Sequence, residues 1–291
     1  MANRSWLFVP GDSEVKLGKV AGYGADAVIV DLEDAVAPAA KPRARELAGE
    51  WLAAHPAGPG GFARWVRINP LDGPLWFDDL DAAMAGRPDG IMVPKAAGPA
   101  QLAALGAALD ALEAEHGVDS GTTRVLPLVS ETPAAALTIP SYLGHASPRL
   151  AGLTWGAEDL SAALGAERKR GADGLWTDTF RWVRAQVLLT AHAIGVMPVD
   201  TLYSDFRDVV GLERAAAESF ADGFGGMLAI HPGQVAAINA AFTPGPEAIA
   251  RARAIIAAFD AEPGAGALSL DGAMIDRPHL EQARRLLAGL G

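Results

Sequence analysis

The sequence predicts a (β/α)₈ TIM barrel of the α/β class, followed by a C-terminal helical tail. Eight short apolar runs, at 6–9, 27–31, 64–68, 90–93, 125–129, 152–155, 196–199 and 227–230, recur along the chain. They are continuous rather than alternating, as expected of strands buried on both faces of a parallel sheet. Stretches of helical character separate them, and eight strands with their helices in about 230 residues is the size of one barrel.

The helical stretches lie at 14–21, 42–54, 99–116, 132–137, 177–193 and 212–221. The helical period is weakest at 70–88 and 156–176, while the alanines of 96–111 reflect helix propensity. Beyond the eighth run come two further helices, 233–241 and 247–260, then a glycine-rich stretch at 262–272 and an amphipathic segment at 278–290. The chain therefore divides into a barrel at 1–243 and a helical tail at 244–291. Pro263, Gly264 and Gly266 make that tail a mobile lid or an arm reaching a neighbouring subunit.

Charge narrows the function. With 24 basic and 35 acidic residues the net charge is −11, which argues against a nucleic-acid partner or an anionic membrane surface. An anionic small molecule is admissible where Arg, Lys, a metal or helix N-termini offset the mean field locally. No run of about 18 apolar residues and no secretory pattern is present, so a soluble cytoplasmic protein is expected. The absence of cysteine removes disulfides, thiolate ligands and a cysteine nucleophile together. The 6 histidines show no close pairing, which argues against zinc.

A barrel builds its active site at the C-terminal ends of its strands. The residues there are Pro10 and Gly11; Asp31, Glu33 and Asp34; Arg67 and Asn69; Pro94 and Lys95; Ser130 and Glu131; Glu158 and Asp159; Asp200 and Thr201; and His231 and Pro232. Carboxylates at this density repel one another unless a cation sits among them. A hard ion such as Mg²⁺ suits, because it takes one or two carboxylates and leaves its other positions to water and substrate oxygens. Each acid taken singly is equally well explained as a helix cap or first-turn residue. Arg67 is harder to explain that way, because between Val66 and Ile68 its guanidinium needs an acidic neighbour or a bound carboxylate. Lys95 reads as a surface or structural lysine, with no sign of the apolar pocket a Schiff-base lysine needs. Dinucleotide, P-loop and nucleophile-elbow motifs are all absent.

Taken in order, these residues resemble the citrate lyase β subunit and malyl-CoA lyase group of the HpcH/HpaI aldolase/citrate lyase superfamily. The likeness begins with Arg4-Ser5-Trp6-Leu7-Phe8-Val9-Pro10-Gly11 and continues through Asp31-Leu32-Glu33-Asp34-Ala35-Val36. Val66-Arg67-Ile68-Asn69, Val93-Pro94-Lys95, Ser130-Glu131-Thr132 and Gly156-Ala157-Glu158-Asp159-Leu160 follow. Asp205-Phe206-Arg207-Asp208, Ile230-His231-Pro232-Gly233-Gln234, Phe242-Thr243-Pro244 and Met274-Ile275-Asp276 complete it, so the match spans nearly the whole chain. One departure is Met227 after Gly223-Phe224-Gly225-Gly226, where family members often carry lysine; it bears on the acyl carrier accepted.

The resemblance implies a Mg²⁺-dependent barrel, with Mn²⁺ as a substitute, that acts on a CoA thioester and a small 2-oxo acid as a homotrimer or hexamer. By that likeness Glu131 and Asp159 are the metal ligands, and Arg67 binds substrate and steadies an enolate oxygen. Glu33 and Asp34 stand around the metal's waters, and Asp276 enters a neighbouring subunit's site as acid/base. Arg4, Lys16 and Lys19 are the residues offered to CoA phosphates. The implied reaction splits a 3-hydroxyacyl-CoA such as malyl-, citramalyl- or citryl-CoA, or runs in reverse as a condensation. A β subunit of a multi-subunit citrate lyase, and a class II aldolase acting on free 2-oxo acids, are the alternatives.

Overall fold

The computed structural model describes residues 3–58, 61–145 and 147–289. Its strands β1 (Ser5–Pro10), β2 (Ala27–Asp31), β3 (Ala63–Arg67), β4 (Gly90–Val93), β5 (Arg124–Pro127), β6 (Gly152–Thr154), β7 (Met197–Asp200) and β8 (Gly226–Ala229) each fall on a predicted apolar run. They pair in parallel in the order β5-β4-β3-β2-β1-β8-β7-β6. Bridges from Val125 to Leu150 and from Leu128 to Thr154 join β5 to β6, so the order returns on itself as a barrel.

Alternation along each strand explains the continuous hydrophobicity. Trp6, Ile29, Trp65, Met92, Leu126 and Leu228 fill the barrel interior, where the Trp6 and Trp65 rings meet edge to face at 5.1 Å. The intervening residues, such as Leu7, Val28, Val66 and Ile91, point outward against the helices. Gly90 is dictated by this packing, because a Cβ there would lie 2.3 Å from Trp65 Cζ3.

The surrounding helices are α1 (Glu14–Val20), α2 (Lys41–Ala54), α3 (Trp76–Ala85), α4 (Pro99–His116), α5 (Pro133–Thr138), α6 (Ala157–Leu164), α7 (Asp178–Ala193), α8 (Val209–Asp222) and α9 (Val235–Ala241). Both weakly periodic intervals hold a helix. In α3 the fully buried Asp79 takes a position that the period reserves for an apolar residue. α6 is only 8 residues long, and its first turn carries Glu158 and Asp159. No helix of the described residues is long and apolar enough to cross a membrane.

The tail is more structured than its glycines suggest. After α10 (Pro246–Ala261), the glycine-rich stretch leads into an antiparallel hairpin, β9 (Ala267–Leu270) and β10 (Ala273–Asp276), and α11 (Arg277–Ala288) follows. Its two-residue turn is Asp271-Gly272, with φ of 52° and 78°, the twist that matches a tight hairpin. Ile255 and Phe259 of α10 pack with Ile275, Leu280 and Ala283 in a small core of their own.

One buried ion pair ties α4 to the segment before β6. Glu113, with no exposed surface, accepts from Arg149 Nη1 at 2.7 Å and from the Gly121 and Thr123 N–H groups at 2.7 and 2.9 Å. Burial works against its ionisation, but these donors hold its carboxyl down at about 2, against an ordinary 4.5. A depressed carboxylate stabilises the fold fully above its unfolded pKa and loses that contribution as pH falls through the folded one. Unfolding free energy, followed by urea titration, is expected to decline between pH 4.5 and about 2, with a shallower decline in Glu113→Gln. Equal slopes in both proteins would remove Glu113 from the acid response.

Candidate active site

The strand ends converge on one cavity of about 220 Å³, lined by Asp31, Arg67, Glu131 and Asp159 on its polar side and by Phe8, Leu128, Leu202 and Leu228 on its apolar side. Asp31 ends β2 and is nearly buried. Its carboxylate accepts from the Glu33 and Ala35 N–H groups, which shapes the following loop, and from Arg67 Nε at 2.8 Å and Nη2 at 2.6 Å. Arg67 is thus paired by an acidic neighbour, one of its two predicted partners. It also approaches Glu33 Oε2 at 2.9 Å without hydrogen-bond geometry, so that this buried oxygen has no hydrogen-bond partner. Its guanidinium lies 4.9 Å from the centre of the Phe8 ring.

Of the two readings of Lys95, surface or structural, the structure bears out the second: its ammonium pairs with Glu33, with Asp34 Oδ2 at 3.2 Å and with Asp159 Oδ1 at 3.7 Å. Its backbone N–H donates to Glu131. Burial alone would lower its pKa, but the hydrogen bond and charge of Glu33, with the charges of Glu131 and Asp159, raise it above the ordinary lysine value. The residue reaches these partners from φ 50°, a left-handed conformation that costs a non-glycine residue about 1–3 kcal/mol and persists where surroundings enforce it.

Glu131 follows β5 and is 3 % exposed. Burial first, and then the nearby charge of Asp159, push its carboxyl up to about 8, the signature of a carboxylate without enough positive charge beside it. Glu33 is raised for the same first reason, against the opposing pull of Arg67 and Lys95. Gly156 makes room for Glu131, since a Cβ there would stand 2.8 Å from Glu131 Cγ and 3.0 Å from Oε1. Among the described residues no group of three or more His, Cys, Asp or Glu is arranged to hold a metal. Two carboxylates, with water and substrate oxygens for the remainder, are what Mg²⁺ needs, and buried Glu131 and half-buried Asp159 fit that requirement.

Other expected residues are placed differently. Arg4 precedes β1 and so lies at the end of the barrel away from the cavity, where Asp26 takes its Nε at 2.7 Å and Thr243 its Nη1 at 2.8 Å. Its proposed contact with CoA phosphates thus has no support from its partners in this chain. Met227 is likewise buried at the beginning of β8, so the departure from lysine falls at that same end. Lys16 and Lys19 are exposed on α1, which begins just after β1 reaches the cavity. Asp200 is committed to structure, accepting from Trp155, Arg184 and Ser219. Asp276 does not line the cavity. It ends β10 and caps α11, with Oδ1 2.5 Å from His279 Nδ1, and this hydrogen bond holds its carboxyl below the ordinary range.

A family model described as HpcH/HpaI aldolase/citrate lyase matches residues 4–232. The chain is 36% identical over 300 residues to the L-malyl-CoA/beta-methylmalyl-CoA lyase of Rhodobacter capsulatus, covering 97% of this chain and 92% of that one. It is 36% identical over 290 residues to a citrate lyase subunit beta-like protein of Mycobacterium tuberculosis, covering 100% and 96%. The crystal structure of the Mycobacterium tuberculosis protein CitE in complex with magnesium, acetoacetate and coenzyme A superposes with a TM-score of 0.79 at 35% identity, over 99% of this chain and 98% of that one.

Lys95 provides a test of the cavity that needs no substrate. If Asp159 holds a divalent cation, the ammonium 3.7 Å away would compete for it, so Lys95→Met is expected to bind Mg²⁺ more tightly by roughly tenfold in calorimetry. Unchanged affinity would return Lys95 to a purely structural role.

Proposed function

The chain belongs to the HpcH/HpaI aldolase/citrate lyase family, and on that premise we propose that it is a Mg²⁺-dependent carbon–carbon lyase. It would split a 3-hydroxyacyl-CoA thioester, such as malyl-, citramalyl- or citryl-CoA, into a 2-oxo acid and a shorter acyl-CoA. The observation that carries this reading is the buried Glu131 beside Asp159 across one cavity from Arg67, a cation site next to an oxyanion site. Glu131 and Asp159 would hold Mg²⁺, with Mn²⁺ as a substitute, and the bound ion would supply Lewis acidity to lower the pKa of the substrate hydroxyl.

The chain's own residues do the rest. Asp31 and Glu33 fix the guanidinium of Arg67, and a guanidinium has five N–H donors, so some remain for the thioester oxygen. As the C–C bond breaks, that oxygen becomes an enolate, and fixed donors in a site shielded from water stabilise it strongly. Phe8, Leu128, Leu202 and Leu228 provide the shielding wall. Asp276, a carboxylate under the hold of His279, takes a proton from the acyl-CoA α-carbon in the condensing direction and returns it in cleavage. Its place outside its own chain's cavity fits delivery to a neighbouring subunit, in the homotrimer or hexamer that the family resemblance implies. Lys16 and Lys19 are the cations offered to the CoA phosphates.

The decisive experiment is mass-spectrometric product analysis with malyl-, citramalyl-, β-methylmalyl- and citryl-CoA, with and without Mg²⁺. Mg²⁺-dependent release of a 2-oxo acid and a shorter acyl-CoA is expected, and Glu131→Ala or Asp159→Ala should abolish it while the circular dichroism spectrum stays native. Turnover that survives either substitution would defeat the metal site; no turnover on any thioester would move the weight to a partner-dependent subunit or a free-acid aldolase. Asp276→Asn keeps the helix cap and should lower kcat by roughly 10²–10⁴-fold while CoA affinity is retained. A loss confined to affinity would make the tail a binding lid.

A further inference from the structure

Behind the loop that carries Glu33 lies a buried polar frame. Lys41 opens α2, yet its side chain runs inward, and the residue is 8 % exposed. An ammonium has three donors, and this one uses each: to Leu32 O at 2.8 Å, to Glu33 O at 3.0 Å and to Asn69 Oδ1 at 2.8 Å. Asn69, just beyond β3, donates through Nδ2 to Leu32 O at 2.9 Å and to Asp79 Oδ2 at 2.6 Å. Its backbone N–H donates to that same oxygen at 2.8 Å. The other oxygen of Asp79, on α3, accepts from Arg45 Nε at 2.7 Å, one helical turn after Lys41 on α2. Four side chains from α2, α3 and the end of β3 thus close around two consecutive carbonyls.

The placement runs against local preference. A cation in the first turn of a helix faces the positive end of the macrodipole. All three acceptors of Lys41 are neutral, so no carboxylate in contact offsets the desolvation of its charge. A core that needed only a donor could use a neutral amide. The charge adds a stronger hold on the carbonyls, because charge-assisted hydrogen bonds are roughly twice as strong as neutral ones. Those carbonyls belong to Leu32 and Glu33, and the Glu33 carboxylate meets Arg67 and Lys95 in the cavity.

We propose that Lys41, held by Asn69, Asp79 and Arg45, is a positioning residue that fixes the Leu32–Glu33 backbone and thereby sets where the Glu33 carboxylate stands against Arg67 and Lys95. Rules of local sequence preference are broken most readily where function demands it, and a lysine opening α2 is such a break. The kinetic consequence rests on the lyase reading; the structural one does not.

Both are tested with Lys41→Met, and with Lys41→Gln should the first variant fail to fold. Amide hydrogen exchange at Ala35 and Val36, whose N–H groups bond to Asp31 and Glu33, should speed up about tenfold while the strands keep their protection. With the thioester that turns over, kcat should fall about 10²-fold with KM retained, the size of effect expected from a misplaced catalytic group. In a Glu33→Gln background the same substitution should add little, because the two act as one unit. Unchanged exchange at those amides, or losses that simply add in the double variant, would overturn the proposal. Should the unaltered protein turn over no thioester, the lyase reading fails and the exchange measurement alone decides the frame.

Discussion

Repulsion between like charges is the constraint around which the C-terminal end of the barrel is organised. Asp31, Glu33, Asp34, Glu131 and Asp159 gather there, and among the described residues Arg67 and Lys95 are the cations paired with them. The two cations leave the cluster negative. Buried Glu131 shows the result, its carboxyl pushed toward neutrality first by burial and then by the charge of Asp159. A divalent cation bound as proposed between Glu131 and Asp159 would offset this repulsion.

Such a cluster is tolerable only on a rigid support, and the barrel supplies one from two directions. From within, the charged groups stand beyond the ends of five neighbouring strands, with Asp31, Glu33 and Asp34 after β2, Arg67 ending β3, and Lys95, Glu131 and Asp159 after β4, β5 and β6, so the spacing between these groups follows from the barrel's closure. From behind, the helical layer contributes its own polar groups, with Lys41 and Asn69 gripping the chain at the point where Glu33 leaves it. Gly156 adds a third kind of control, an omitted side chain that opens the space Glu131 occupies.

Much of this was legible in the sequence, and the misses have physical causes. The eight strands stood out because both of their faces are buried, which makes each run largely apolar. The strand-end acids and Arg67 were found by barrel polarity alone. The same polarity, applied to Arg4, would have placed it at the far end, since it precedes its strand. Lys95 was placed at its strand end, but its partners could not be read, because they come from the loop after β2 and from α6, far away in sequence. Helix α3 was obscured by Asp79, a charged residue in a core position whose partners come from elsewhere in the chain. The tail hairpin was written in Asp271-Gly272 but masked by the surrounding glycine content, which reads as mobility.

Asp276 performs two duties with one carboxylate, capping α11 while being the proposed proton carrier. A capping position accepts Asn or Ser about as readily as Asp. Selection for a folded tail would therefore not by itself keep the acid in place, and a single codon change could yield a stable protein without that carboxylate. A scaffold of this kind has a short evolutionary path to a descendant that has lost the acid while its barrel and its tail survive.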